Sequence, residues 1–349
     1  MANIDLLAAD LDSVKGKVRP PVGVILGAPS EVADLAGWLN HPEVVCYQMD
    51  LYPAERLKEE LDRRGLAARV VPAADLWDLP ADFQTVLYPA PQGGERALKL
   101  DMIEQAFHVL RSRGVLIVWS PYEKELLFPT ALKKVFRRVH APATSHFSVF
   151  WCQREGDRPR RRHEVTYQVR LEAAETSLRF LSRPGVFSHG RFDHGARALT
   201  ETMVIHPGDR IVDVGCGCGT NGIIAGRLSG PTGSVTFLDS NLRALALAEH
   251  NAAANGLKGF QTVATTRVEG APEGSFDVAL ANPPYFAQLA VGRLFIERSW
   301  ALLRPGGRLY LVSKQPNQLG PFAAEIFGRT EAVQRRGYTI LSSEKGKAK

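Results

Sequence analysis

The run Asn282-Pro283-Pro284-Tyr285 stands at the end of an apolar, strand-like stretch, Phe276 to Ala281. The side-chain oxygen of Asn282 and the backbone carbonyl of Pro283 can each accept a hydrogen bond, and neither proline has an N–H to offer in return. Tyr285 adds an aromatic face. Together they suit a planar group that carries an NH2, which makes Asn282, Pro283, Pro284 and Tyr285 the candidate catalytic residues. The plainer alternative is a turn after a strand, because Asn and Pro both favour turns.

For such a slot to act, elements upstream must bring a second reactant beside it. Arg210 to Val214 reads as a buried parallel strand carrying Asp213, and it leads through Gly215-Cys216-Gly217-Cys218-Gly219 into a helix starting near Asn221. Glycines there allow a tight turn and a close approach of backbone to ligand. A second strand, Ser234 to Asp239, also ends in a carboxylate and precedes a helical run from Leu242 to Asn255. Asp239, with Ser240 beside it, either accepts the two hydroxyls of a ribose or caps the following helix. In open α/β sheets the crevice beyond such strand ends is where ligands bind.

The loop lacks the Lys-Ser/Thr of a phosphate-binding loop, and the acidic approach through Asp213 suits a cationic sulfonium better than a pyrophosphate. Asp213, Gly215, Cys216, Gly217, Gly219, Asp239, Ser240 and Asn282 are therefore expected to line a site for S-adenosylmethionine. The stretches DVGCGCGTNG, LDSN, FDVALANPPY and LLRPGGRLYLV resemble the class I S-adenosylmethionine-dependent methyltransferases. RPGVFSHGRFDHGARAL, Arg183 to Leu199, is similar to the segment before the glycine loop in the ribosomal RNA guanine-N2 methyltransferases of the RsmC and RlmG type. That resemblance implies two methyltransferase-like domains with only the second active, a seven-stranded mixed sheet in each, and a segment that closes over the cofactor and brings Phe187 and Asp193 toward cofactor or target nucleotide.

The first half repeats the second in outline, as duplication of one α/β unit would. Pro21 to Gly27, Val44 to Asp50 and Phe83 to Tyr88 match the first, second and fourth strands, and Lys99 to Leu110 with Gly114 to Trp119 parallel Gly292 to Leu303 with Gly307 to Val312. The copy is degenerate where chemistry would occur. Gly27-Ala28-Pro29-Ser30 replaces the glycine loop, Pro89-Ala90-Pro91-Gln92 replaces the Asn-Pro-Pro-Tyr run, and only Asp50 is retained. The expected fold class is α/β, two tandem Rossmann-like doubly wound domains: residues 1–153 non-catalytic, 154–170 a basic linker, 171–349 catalytic.

Arg158, Arg160, Arg161 and Arg162 in the linker either stay solvated or neutralise phosphates. The 349 residues carry a net charge of +6, a basic excess that fits a polyanionic partner without requiring one. The four cysteines have no zinc-ligand spacing, and Cys216 and Cys218 read as apolar filling. No run has the length to span a bilayer. The expectation is a reduced, cytoplasmic, metal-free monomer acting on ribosomal RNA or a ribosomal subunit, at the N2 amine of a guanine, in the small-subunit 16S RNA. Adenine N6 in nucleic acid and the glutamine amide of release factors present the same slot chemistry, and Tyr285-Phe286 departs from the Phe-His of the guanine group. A protein that only binds RNA or assists assembly is the alternative of another class. Closing the second sheet is expected of a strand over Arg335 to Ile340, and Lys345 to Lys349 is expected to fray.

Overall fold

The structure, a computed structural model, describes residues 9–79, 82–91, 93–122, 124–171, 176–284 and 289–346. The chain divides into two compact units, Met1–His163 and Glu164–Lys349.

The first unit is built on β1 (Val22–Ile25), β2 (Val44–Gln48), β3 (Arg69–Pro72), β4 (Phe83–Pro89), β5 (Leu110–Ser120) and β6 (Ser148–Gln153), with helices α1 (Pro29–Leu39), α2 (Leu51–Arg64), α3 (Arg96–Val109) and α4 (Leu127–Phe136). Its strands lie in the order β3-β2-β1-β4-β5-β6, parallel except for the last pair. The second unit opens with a hairpin, β7 (Val165–Leu171) and β8 (Thr176–Ser182), and the short helix α5 (His194–Thr200). Its sheet then uses β9 (Arg210–Val214), β10 (Ser234–Asp239), β11 (Phe260–Ala264), β12 (Phe276–Ala281), β13 (Leu303–Ser313), β14 (Thr330–Arg335) and β15 (Tyr338–Glu344). Interleaved with these are α6 (Thr220–Ser229), α7 (Leu242–Ala254), α8 (Leu289–Leu302) and α9 (Pro316–Phe327). The order β11-β10-β9-β12-β13-β15-β14 is parallel through β13 and then antiparallel.

Both sheets thus reverse direction of growth at the same place, beside the first strand, and both are doubly wound. They differ in strand number. Among the described residues the first sheet has six strands, not the expected seven, because one antiparallel strand, β6, closes it where a hairpin closes the second. The expected linker is also shorter than 154–170, since Val165 onward pairs in β7. Arg154 to Arg162 belongs to the first unit: Arg154 lies over the Phe107 ring and donates to the Leu110 carbonyl, and Arg158 reaches Glu104 at 3.1 Å. At the C-terminus the stretch Arg335 to Ile340, expected as one closing strand, contains the turn Arg336-Gly337, with Arg335 ending β14 and Tyr338 to Ile340 opening β15, the two strands that close the sheet. Lys345 is held, its Nζ donating to the carbonyls of Trp300 and Leu303; residues 347–349 lie outside the described part.

Each sheet is covered on both faces, which explains why its central strands read as continuous apolar runs. In β12 every residue is buried, with Val278 and Leu280 packing into one core and Ala279 and Ala281 into the other. Helix α6 sits unusually near its sheet because Gly222 and Gly226 lie one turn apart on the inward side. A Cβ at Gly222 would come 2.6 Å from the Phe237 ring, and one at Gly226 would come 2.6 Å from Val235. Alanine in a helix ordinarily gains about 1 kcal/mol over glycine. Here overpacking outweighs it, and Gly226→Ala is expected to lose about 1–3 kcal/mol in urea unfolding. Gly37→Ala in α1, where the new methyl meets only Leu66 at 3.7 Å, is expected to gain stability.

Candidate active site

Register brings three strand ends to one level. Leu238 of β10 and Ala281 of β12 both lie opposite Val214 of β9, so Asp239 and Asn282 flank Gly215 on either side. From there the chain turns through three glycines at φ 69°, 55° and 84°, at positions 215, 217 and 219. Their reasons differ. A Cβ at Gly215 would be 3.0 Å from the Phe295 ring and one at Gly219 would be 3.0 Å from Ala248, whereas one at Gly217 would meet nothing within 4 Å. Gly217 therefore presents bare backbone to open space, the cradle a ligand needs.

Asp239 holds this loop. Its Oδ2 accepts from the Gly217 N–H at 2.8 Å and its Oδ1 from the Asn241 N–H at 2.9 Å. The N-cap of α7 is Asn241, which accepts from Arg243 and Ala244, so Asp239 is not spent on capping. Both bonds come from backbone N–H groups, so the carboxylate is fixed at the tip of β10 beside the loop. Asp213 is nearly sealed, at 2 % exposure, and accepts one N–H, from Gly222 at 2.8 Å. Burial pushes its carboxyl up to about 7, with the Asp239 charge adding to the rise and the Gly222 bond opposing it. Cys216 and Cys218 are buried in the loop, their thiols pushed up by burial, which fits packing and not reactivity. Ser240 is half-buried next to Asp239.

Residues that the motifs did not mark complete the support. Tyr167, from the β7 strand that composition assigned to a linker, bonds Thr220 Oγ1 at 2.6 Å and Cys218 Sγ at 3.2 Å. Asn251 of α7 donates both to the Leu181 carbonyl of β8 and to the Cys218 carbonyl of the loop, each at 2.9 Å. Only tertiary pairing reveals either role; a polar residue on the inward side of an otherwise apolar helix was the available sign for Asn251.

The segment Arg183 to Asp193 runs between the tips of β10 and β12. At one end Asn241 Nδ2 donates to the Gly185 carbonyl at 2.9 Å and the fully buried Arg243 donates to the Pro184 carbonyl at 2.6 Å. At the other, Asp193 caps α5 by accepting from the Ala196 N–H at 2.9 Å, and the same Oδ2 takes a bond from Asn282 Nδ2 at 3.2 Å. Phe187, between the two anchors, is 45 % exposed. Pro283 is buried and Pro284 exposed, while Tyr285 lies outside the described residues.

The four arginines proposed for RNA are positioned by the first unit. Arg158 is paired with Glu104, Arg160 lies over the Trp77 ring at 5.3 Å, and Arg161 and Arg162 are exposed, all in the first unit. That unit has no equivalent of the open glycine. A Cβ at Gly27 would strike Pro89 and Val32, both at 2.8 Å, and Asp50 caps α2 by accepting from Tyr52 N–H.

Because the carboxyl of Asp213 titrates higher in the fold than in the unfolded chain, ionisation there destabilises the fold. The loss grows as pH rises from about 4 to about 7 and is constant above. Asp213→Asn keeps an oxygen for the Gly222 N–H. Without ligand it is expected to melt several degrees above the unsubstituted protein near pH 8 and no higher near pH 4; equal melting temperatures at both would contradict the burial argument.

Residues 177–342 match the family described as Methyltransferase small domain. Among curated proteins, the Ribosomal RNA small subunit methyltransferase C of Pseudomonas entomophila is 33 % identical over 181 residues, 50 % of this chain and 54 % of that protein. The protein of the same name from Chromohalobacter salexigens is 37 % identical over 185 residues, 51 % of each. The chain thus spans about half the length of these relatives. Among solved structures, the T. thermophilus 16S rRNA N2 G1207 methyltransferase, determined with AdoMet and guanosine, superposes with a TM-score of 0.73 at 23 % identity and covers 98 % of this chain and 91 % of that one. The likeness extends to the fold of both units. Asp193, Asp213, the glycine loop, Asp239 and Asn282 all fall within the matched segment, so the likeness to that domain covers the whole candidate site of the second unit.

Proposed function

We infer that the second unit methylates the exocyclic N2 amine of a guanine in ribosomal RNA of the small subunit, with S-adenosylmethionine as donor. The observation that carries this reading is the level formed by Asp239, Gly215 and Asn282, with bare backbone at Gly217 between a carboxylate and an amide. The residues fit the donor: Asp239 is a carboxylate at the strand tip where a ribose is held, Gly217 leaves room, and Asp213 is a buried carboxyl whose ionised form a nearby cation would favour. When bound, S-adenosylmethionine supplies a methyl group activated by a positively charged sulfur.

The chain's own task is to make a weak nucleophile attack. An amino group on guanine delocalises its lone pair into the ring, and acceptors on both of its hydrogens draw it toward a pyramidal shape. Asn282 Oδ1 and the Pro283 carbonyl are the acceptors. A carboxylate can only accept, so Asp193 forces the NH2 of Asn282 toward itself and commits the oxygen of that amide to the slot. Phe187 and Tyr285 offer faces for the base, which must be unpaired or flipped to enter. The proton leaves to water, and no strong base is needed.

Choice of the small subunit draws support from the names of the curated relatives, and choice of guanine from the Arg183 to Leu199 segment. The first unit, residues 1 to about 153 in this reading, is non-catalytic, consistent with its crowded Gly27 and its capping Asp50. The whole acts as a cytoplasmic monomer.

Radiolabelled donor with small subunits from a strain lacking the protein, followed by nucleoside analysis, tests the reading. Asn282→Ala is expected to reduce incorporation by roughly a hundredfold or more while donor affinity stays within a few-fold; retained activity would overturn it. Asp193→Ser separates two roles, since serine still caps α5 but is too short to reach Asn282. Its melting temperature should hold, kcat should fall on the order of tenfold with KM for the donor unchanged, and Asp193→Asn should recover most of the loss.

A further inference from the structure

The first unit has lost the acceptor slot but not the space. Beyond the carboxyl ends of β4 and β5, where the second unit places Asn282, lies an open cavity of about 400 Å3 lined by Gly93, Gly94, Arg96, Lys99, Tyr122, Leu126 and Leu127. Its chemistry is the reverse of the catalytic slot. Lys99, on the second turn of α3, is 7 % exposed, and among the described residues neither its ammonium nor the Arg96 guanidinium has a carboxylate partner or a hydrogen-bond acceptor. A lysine whose stem is buried and whose ammonium lines a cavity without a counter-ion from the described chain is placed to meet an anion that is not part of the chain.

Two further features agree with a bound anion. The first-turn N–H groups of α3 receive no side-chain cap from Glu95, which leaves the positive end of a 14-residue helix facing the same side. Tyr122, 39 % exposed, accepts a bond from the Gly93 N–H at 3.0 Å through its hydroxyl, which fixes the ring as one wall. Of the acidic side chains nearby among the described residues, Glu125 is committed to Leu127 N–H and Ser120, and Glu95 does not line the cavity. Two cations, an uncapped helix start, an anchored ring and a volume sufficient for one small ligand fit a phosphate group joined to a planar base.

We propose that this cavity of the first unit binds the phosphate of a nucleotide, with Lys99 and Arg96 neutralising the charge and Tyr122 against the base. The site does not depend on the methyl-transfer reading, because it lies wholly in the unit that reading leaves without chemistry.

Calorimetry on the full chain tests it with three probes: inorganic phosphate, guanosine monophosphate and a short single-stranded oligoribonucleotide. Both nucleotide probes should bind more tightly than phosphate. Lys99→Met should weaken them about tenfold or more and Arg96→Gln several-fold, while the affinity of both variants for S-adenosylmethionine stays unchanged, which separates this site from the catalytic one. The oligonucleotide binding more tightly than the mononucleotide identifies RNA as the source, and the opposite order identifies a free nucleotide. Arg96 is exposed, so its variant reports even if removing Lys99 disturbs the fold. The proposal is overturned if no probe gives heat at millimolar concentration, or if both variants bind as the unsubstituted protein does.

Discussion

Parallel pairing among β10, β9 and β12 is the constraint on which the site depends. Side chains on a strand alternate faces, so sliding β12 by one residue would exchange Val278 and Leu280 with Ala279 and Ala281 and drive large groups into the core that now holds methyls. The same slip would move Asn282 one residue, roughly 3.3 Å, along β9. Core packing on both faces therefore sets the height of the amide beside Gly215. Chemistry at the strand ends inherits its geometry from apolar volume well below them.

The loop between these ends is held by polar bonds from three directions. Asp239 grips it at Gly217, Asn251 at the Cys218 carbonyl, and Tyr167 through Thr220 and Cys218. Each support comes from a different element, so the loop is defined by tertiary structure although its glycines are what let it turn. Asp213 works against the fold in the absence of ligand, since its carboxyl is sealed with a single N–H for company. Such a group is tolerable where a cation completes it, and that is the sense in which the site is incomplete alone.

The doubly wound architecture, the strand tips and the glycine loop were legible because their signals are local: a buried apolar run, a carboxylate at its end, glycines where φ turns positive. The second unit's β12 coincides with the expected Phe276 to Ala281. Boundaries set by pairing were not legible. Val165 to Leu171 is polar enough to pass for linker, and only the partner strand β8 and the bond from Tyr167 make it structure. The arginines misled in the same way, because a run of guanidiniums reads as solvated until Phe107, Trp77 and Glu104 are found beneath it. Asp193 reads from the sequence as a contact to cofactor or nucleotide, yet in the fold it accepts from the amide of Asn282, 89 residues away, as well as from the Ala196 N–H.

Divergence between the units is intelligible residue by residue. Asp50 and Asp239 stand at the ends of corresponding strands, and both accept backbone N–H bonds, but Asp50 takes its bond from Tyr52 within its own helix while Asp239 reaches back to Gly217. A helix start needs an acceptor whether or not a ligand is bound, which accounts for a carboxylate kept where the cofactor cradle is gone. Gly27 could not open that cradle even with its positive φ, since Pro89 and Val32 already fill the place a ligand would take. Farther along the same edge the crowding ends, and there the acceptors of the second unit give way to Lys99 and Arg96. Strand order is conserved because it is held by the core; the polarity of the edge is free to invert because nothing in the core depends on it.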